Sequence, residues 1–132
     1  MKKTIILLTA FIFTACTALP GAAGANGYAD ISVEELQALD ESGTDYTFIN
    51  VHIPLEGNIP DTDLEIPFDQ IADYQDMLPQ DKDEKIIIYC RSGSMGDTAS
   101  QALIDMGYTD VSNLEGGYVA WQAAGLPFGD QS

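Results

Sequence analysis

The chain has 132 residues, 45% of them hydrophobic, which is enough for one domain with its own buried core. Acidic residues outnumber Lys and Arg by 21 to 5, and the formal net charge is −16 at pH 7. Such a charge argues against nucleic acids and anionic lipid surfaces as partners, because both attract basic proteins.

The first 25 residues have the features of an export signal. Lys2 and Lys3 precede an apolar run over residues 5–13, and small residues follow it, which is the order found in signal peptides. The apolar run is too short to be predicted as a transmembrane span. A first helix buried in the domain is an alternative interpretation of this segment. The order of charged, apolar and small residues favours the export signal.

Two cleavage sites fit this segment. Residues 13–16 resemble a lipoprotein box, which would remove residues 1–15 and leave a lipid-modified Cys16. Residues 23–25, Ala-Gly-Ala, fit an ordinary small-x-small site, which would release a soluble chain of residues 26–132. We therefore expect an exported, periplasmic protein that is soluble or lipid-anchored, with membrane contact only through a lipid on Cys16. Either cleavage leaves Cys90 without a second thiol in the same chain.

Helical and strand patterns alternate from residue 31 to residue 128. Ser32 and Glu35 form a capping box, which predicts a helix from about Val33 to Asp40, and Gly43 is expected to end it. Residues 46–51 are predicted to form a core strand. Residues 53–67, rich in proline and acidic residues, are predicted to be a loop, and residues 69–78 a helix that Pro79 stops.

The next stretch places a cysteine at the end of a strand. The apolar run 86–89 predicts a strand buried on both faces, and Cys90 follows it directly. After a short polar loop, residues 97–106 have the apolar spacing of a helix, which Gly107 is expected to end. A loop that leads into a helix N-terminus is where an open α/β sheet binds ligands, and its free N–H groups favour anions and a thiolate.

Two further elements complete the pattern. Residues 111–114 predict another strand, and residues 118–124 a short helix. Strands that alternate with helices predict an α/β fold with a central parallel sheet and helices on both faces.

Four motifs occur in the order typical of rhodanese-like sulfurtransferases. Cys90-Arg91-Ser92-Gly93 resembles their active-site loop, and residues 50–54 stand where they usually have Asp-Val-Arg-x-Pro. Ile59-Pro60 with residues 66–68 resembles a central motif, and residues 113–121 with 124–127 resemble the carboxyl-terminal signature. The resemblance covers roughly residues 31–128 and implies the rhodanese-like fold.

The resemblance also implies a chemistry and a set of site residues. Cys90 would be the catalytic nucleophile, and it would hold a sulfane sulfur as a persulfide. The residues expected to bind the substrate through their backbone N–H groups and side chains are Arg91, Ser92, Gly93, Ser94, Met95 and Gly96.

This chain departs from the family pattern at three positions. Met95 stands where the family often has an arginine that closes the loop. Asn50 and His52 replace the Asp-x-Arg pair, and both are expected to support the site rather than to react. A Cys90–His52 pair is an alternative, since His52 is the only histidine.

Several other chemistries fit the residues less well. A cysteine phosphatase needs an arginine six positions after its cysteine to clamp phosphate, and that position is Gly96. One Cys90 and one His52 do not form a metal cluster, and no nucleotide-binding glycine motif is present, so no metal or cofactor is expected. A thiol oxidoreductase would be expected to carry Cys-x-x-Cys.

The predicted function is transfer of sulfane sulfur from thiosulfate, polysulfide or a persulfide to a thiol or cyanide acceptor. The expected partners are a small sulfur-containing anion or a persulfide donor, and a protein thiol as an acceptor. The alternative is a sulfur-carrier or protein-binding module with little catalytic turnover.

Overall fold

The computed structural model describes residue 24 and residues 26–129. Five parallel strands form one sheet in the order β1-β5-β4-β2-β3. Their bounds are β1 Ala29–Ile31, β2 Thr47–Asn50, β3 Leu64–Glu65, β4 Ile86–Tyr89 and β5 Val111–Leu114. The helices are α1 Val33–Ser42, α2 Ser94–Asp105 and α3 Gly117–Ala123, with a 3-10 helix over Ile71–Met77.

Strand β4 lies in the middle of the sheet and supplies side chains to two hydrophobic clusters. Ile86 and Ile88 lie in one cluster together with Cys90, whereas Ile87 and Tyr89 lie in the other. This division follows from the two-residue repeat of a strand, because successive side chains point to opposite faces. All four β4 residues are fully buried, as the run of apolar residues predicts.

The two clusters are covered by different helices. Residues of α2 and of the 3-10 helix pack with Cys90 on one face, through Leu103, Ala99 and Ile71. Residues of α1 and α3 pack on the other face, through Leu36 and Trp121. The predicted α/β fold, a central parallel sheet with helices on both faces, is therefore confirmed.

The predicted start of the second α-helix is wrong by one turn. Helix α2 begins at Ser94 rather than at Asp97, because the N–H of Asp97 already donates to the carbonyl of Gly93 at 3.0 Å. The first turn of α2 contains Ser94 and Gly96, so it lacks the apolar repeat by which a helix is predicted from sequence. The loop after Cys90 is therefore only Arg91–Gly93.

Three other elements differ from the prediction. Residues 71–77 form a 3-10 helix rather than an α-helix, with a non-helical kink at Tyr74. Two short strands, β1 and β3, were not predicted, and β3 lies within the expected loop 53–67. Strands of two or three residues are too short to show an alternating pattern, so pairing with a neighbour defines them.

The predicted export signal lies, apart from Gly24, outside the described residues, as does Cys16. Among the residues that the structure describes, no helix has the length and apolar character needed to cross a membrane.

Candidate active site

Cys90 lies at the carboxyl end of β4, beneath the loop Arg91–Gly93. The N–H of Gly93 donates a hydrogen bond to Cys90 Sγ over 2.9 Å. This turn needs Gly93, whose φ of 122° is a backbone conformation that residues with a side chain rarely adopt. Cys90 exposes 1% of its surface and is therefore buried, within the cluster that also contains Ile88 and Ala99.

The first turn of α2 brings free backbone donors to the loop. The N–H groups of Ser94, Met95 and Gly96 donate to no backbone carbonyl within residues 26–129, as is usual in the first turn of a helix. A helix N-terminus of this kind stabilises negative charge through these groups and the helix dipole. The site can therefore stabilise an anion near the sulfur.

The predicted substrate-binding residues occupy different environments. Arg91, Ser92 and Ser94 are exposed, as a role in binding a substrate requires. Met95 is half-buried and packs against the cluster that contains Cys90. Gly96 is buried, and a Cβ there would lie 2.1 Å from Asn113 Oδ1, so the side of Gly96 faces β5. The part that these residues play in binding a substrate stays a prediction.

Asn113, which is not among the predicted site residues, supports the loop from β5. Its Nδ2 donates to the carbonyl of Gly93 at 3.1 Å and to Asp97 Oδ1 at 3.0 Å. The same Asp97 oxygen accepts a bond from Tyr28 at 3.1 Å. One buried amide thus ties β5 to the loop and to the first turn of α2.

Helix α3 packs directly against the backbone of the cysteine loop. The N–H of Tyr118 donates to the carbonyl of Cys90 at 2.9 Å, and that of Val119 donates to the carbonyl of Arg91 at 3.1 Å. A Cβ at Gly117 would lie 2.2 Å from the Cys90 carbonyl oxygen. The glycine at 117 therefore allows the close approach of α3 that fixes the loop.

Asn50 supports the segment between β2 and β3. Its Oδ1 accepts the N–H of His52 at 3.0 Å, and its Nδ2 donates to Gly57 and Asn58, both at 2.9 Å. His52 is mostly buried, and its Nε2 lies 3.7 Å from Glu56 Oε2. No hydrogen bond joins His52 to Cys90 within residues 26–129. The observed contacts of Asn50 and His52 fit the supporting role expected for these two residues.

A carboxylate and a phenol, neither of them among the predicted site residues, meet beside the loop. The hydroxyl of Tyr118 donates to the Glu56 carboxylate. The Tyr118 ring stacks on Phe128 at 4.4 Å and meets the edge of His52 at 5.6 Å between centroids. These contacts hold the Glu56 carboxylate beside Tyr118, whose backbone contacts Cys90.

Both partners of this contact have altered acidity. The hydrogen bond from Tyr118 lowers the pKa of Glu56, and the positive charge of Arg91 lowers it further. Burial raises the pKa of Tyr118, and the hydrogen bond to Glu56 adds to this rise. At neutral pH the pair is therefore a carboxylate with a neutral phenol.

The family model of the rhodanese-like domain matches residues 29–124, most of the chain. The chain belongs to this family. A sulfurtransferase of Allochromatium vinosum is 36% identical over 101 residues, covering 74% of this chain and 92% of that protein. A thiosulfate sulfurtransferase GlpE of Pseudomonas savastanoi pv. phaseolicola is 29% identical over 94 residues, covering 70% of this chain and 86% of that protein.

The fold of this rhodanese-like domain also matches solved structures. A rhodanese-related protein of Thermoplasma volcanium superposes with a TM-score of 0.64 at 25% identity, covering 76% of this chain and 97% of that chain. The predicted family is thus confirmed, and sulfurtransferases are among the relatives. In this rhodanese-like domain, Cys90 Sγ accepts the N–H of Gly93 in the loop that leads into the first turn of α2.

Proposed function

We propose that this rhodanese-like protein is a sulfurtransferase that transfers sulfane sulfur through a persulfide on Cys90. The donors are thiosulfate, polysulfide or a persulfide, and the acceptor is a thiol or cyanide. The observation that carries the proposal is the position of Cys90 at the carboxyl end of the central strand β4. There its Sγ accepts the N–H of Gly93 at 2.9 Å. Family membership and the sulfurtransferase relatives support it.

The reaction has two displacement steps. The Cys90 thiolate attacks the outer sulfur of the donor, a new S–S bond forms, and the old bond breaks with its electron pair on the leaving group. With thiosulfate the leaving group is sulfite. An acceptor thiolate or cyanide then attacks the terminal sulfur and the Cys90 thiolate leaves. Because Cys90 is the one cysteine among residues 26–129, we expect the acceptor to come from outside this part of the chain.

Burial of the cysteine adds a conformational step. Since 1% of Cys90 is exposed, we expect a donor to reach Sγ after a local movement, and the loop Arg91–Gly93 is the expected segment because Gly93 is hydrogen-bonded to Sγ. Short loops open locally at much lower free-energy cost than global unfolding. Loading with sulfur should therefore be slower than reaction at a fully exposed thiol.

Turnover tests this function. Wild type and Cys90→Ser would be incubated with thiosulfate or polysulfide as donor and with cyanide or a small thiol as acceptor. We expect thiocyanate, or the acceptor persulfide, to form in repeated turnovers with wild type only. Formation at equal rates with Cys90→Ser would refute the proposal.

A carrier or binding module is the second candidate, and two observations favour it. Cys90 is covered, and apolar side chains beside the site are exposed: Leu55 by 52% and Val119 by 46%. A module of this kind would accept sulfur on Cys90 once and pass it on only to a partner protein. Loading without repeated turnover in the same assay would identify it.

We also propose that the protein acts outside the cytoplasm, in the periplasm. The support is the charged start at Lys2 and Lys3 and the apolar run 5–13. Intact mass of the protein from its native cell tests this. A chain beginning at Asn26, or at a lipid-modified Cys16, is expected, and an intact amino terminus would contradict it.

A further inference from the structure

Beside the cysteine loop, the carboxylate of Glu56 lies close enough to feel the charge of Arg91, the basic residue best placed to attract an anionic donor. From residue 26 onward, Lys82, Lys85 and Arg91 are the only Lys and Arg residues. Lys82 and Lys85 precede β4, whereas Arg91 follows it, so Arg91 is the one of the three at the Cys90 end of the sheet. Any anionic donor must rely on Arg91 and the backbone N–H groups.

Glu56 is fixed in this region by contacts on two sides. Its carboxylate accepts the Tyr118 hydroxyl and lies 3.7 Å from His52 Nε2. Tyr118 is itself bound through its backbone to the Cys90 carbonyl at 2.9 Å, and it is 3% exposed. The negative charge therefore has a defined position next to the loop. The Glu56 side chain is 44% exposed, so its charge also faces the solvent from which a donor approaches.

Building on the proposed function, we propose that Glu56 is a specificity-determining residue that selects against strongly anionic donors. Its charge offsets part of the attraction that Arg91 exerts on an anionic donor approaching Cys90. The donors favoured are sulfane-sulfur compounds with one negative charge or none, in preference to the dianion thiosulfate. Glu56 stays ionised at neutral pH, because Tyr118 and Arg91 lower the pKa of its carboxyl.

Coulomb's law makes this proposal quantitative. The repulsion between Glu56 and a ligand grows in proportion to the ligand's charge. Removing the carboxylate charge should therefore change the rate for a dianion by the square of the factor found for a monoanion. A general effect on the loop would change both rates by the same factor.

The first test uses two alkylating reagents that share a reaction but differ by one charge, iodoacetate and iodoacetamide. The ratio of their rate constants at Cys90 would be measured for wild type, Glu56→Gln and Glu56→Asp at low salt. We expect the ratio to rise about threefold in Glu56→Gln, to stay near the wild-type value in Glu56→Asp, and to respond less at high salt. An unchanged ratio in Glu56→Gln would overturn the proposal.

Glu84→Gln is the matched control. It removes the same charge from an exposed position just before β4, roughly 20 Å from Cys90 at about 3.3 Å per strand residue. The alkylation ratio of Glu84→Gln should equal that of wild type. An equal rise in both variants would mean that the net charge of the molecule, rather than Glu56, determines selectivity, and would overturn the proposal.

The second test uses sulfur donors with matched chemistry. Thiosulfate carries two negative charges and releases sulfite, whereas methanethiosulfonate carries one and releases methanesulfinate. Glu56→Gln should increase the loading rate of Cys90 about ninefold with thiosulfate and about threefold with methanethiosulfonate. Equal gains for the two donors would contradict the selection by charge.

The two tests separate this inference from the proposed function. A raised alkylation ratio in Glu56→Gln, with no sulfur loaded from either donor, would support the role of Glu56 in selecting ligands by charge and refute sulfur transfer. Sulfur loading with an unchanged alkylation ratio would support sulfur transfer and refute the role of Glu56.

Discussion

Gly117 is the residue at which α3 comes closest to the cysteine loop. A methyl group there would lie 2.2 Å from the Cys90 carbonyl oxygen and 2.5 Å from the Arg91 carbonyl oxygen, both of them backbone atoms. Gly117→Ala should therefore lower the free energy of unfolding by about 3 kcal/mol or more, because backbone cannot move aside as a flexible side chain can. Urea denaturation measures this change.

Gly125→Ala is the matched control for that substitution. Gly125 also has a positive φ, 79° against 56° for Gly117, but no atom lies within 4 Å of a Cβ built there. Its substitution should cost about 1 kcal/mol, the backbone penalty alone. Equal losses in the two variants would show that the contact with the loop contributes nothing.

The position of Cys90 at the end of a buried strand could be predicted from the sequence, whereas its neighbours from other parts of the chain could not. A cysteine that ends an apolar strand and precedes a glycine-bearing loop is a local pattern. Glu56, Tyr118 and Asn113 come from distant parts of the chain, and only the parallel sheet brings them to one edge. For Met95, the place beside the loop could be predicted from the sequence, whereas its partial packing into the core could not.

At the scale of elements, the capping box of α1 offers a test that separates stability from function. The Ser32 side chain accepts the N–H of Glu35 at 3.1 Å, and the Glu35 carboxylate accepts the N–H of Ser32 at 2.9 Å. Ser32→Ala should lower the free energy of unfolding by about 1 kcal/mol. The rate of sulfur loading should not change, because α1 packs with the cluster on the sheet face opposite to that of Cys90. A loading rate that falls with stability would contradict this separation.

Elements with a local signal could be predicted, and those defined by pairing could not. The capping box and Gly43, which has a φ of 72° at the end of α1, determine that helix from nearby residues alone. Strands β1 and β3 exist because β5 and β2 offer hydrogen-bonding edges. The first turn of α2 is stabilised by the bond from Asp97 to Gly93 and by Asn113, which contacts both residues.

At the scale of the whole molecule, buried tyrosines are expected to make the protein less stable at alkaline pH. Burial is the largest cause that raises the pKa in four of them, namely Tyr28, Tyr46, Tyr89 and Tyr118. A group whose pKa is higher in the folded chain holds its proton there while the unfolded chain loses it. The stability that these tyrosines contribute is therefore fully present below the unfolded pKa of about 10, and it declines as the pH rises above that value.

The corresponding experiment compares urea denaturation at pH 8 and at pH 10.5. The free energy of unfolding should be lower at the higher pH, and Tyr118→Phe should show a smaller difference between the two values, because it removes one of the four groups. Equal stability of the wild type at both values would contradict this account.

The central claim is that Cys90 carries sulfane sulfur, and the intact mass of the protein after exposure to a donor tests it most directly. Wild type would be incubated with thiosulfate, methanethiosulfonate or polysulfide, freed of excess donor, and measured beside Cys90→Ser. The account predicts a gain of one sulfur atom in wild type, removed by cyanide and absent from Cys90→Ser. No added sulfur with any of the three donors, or an equal gain in Cys90→Ser, would contradict it.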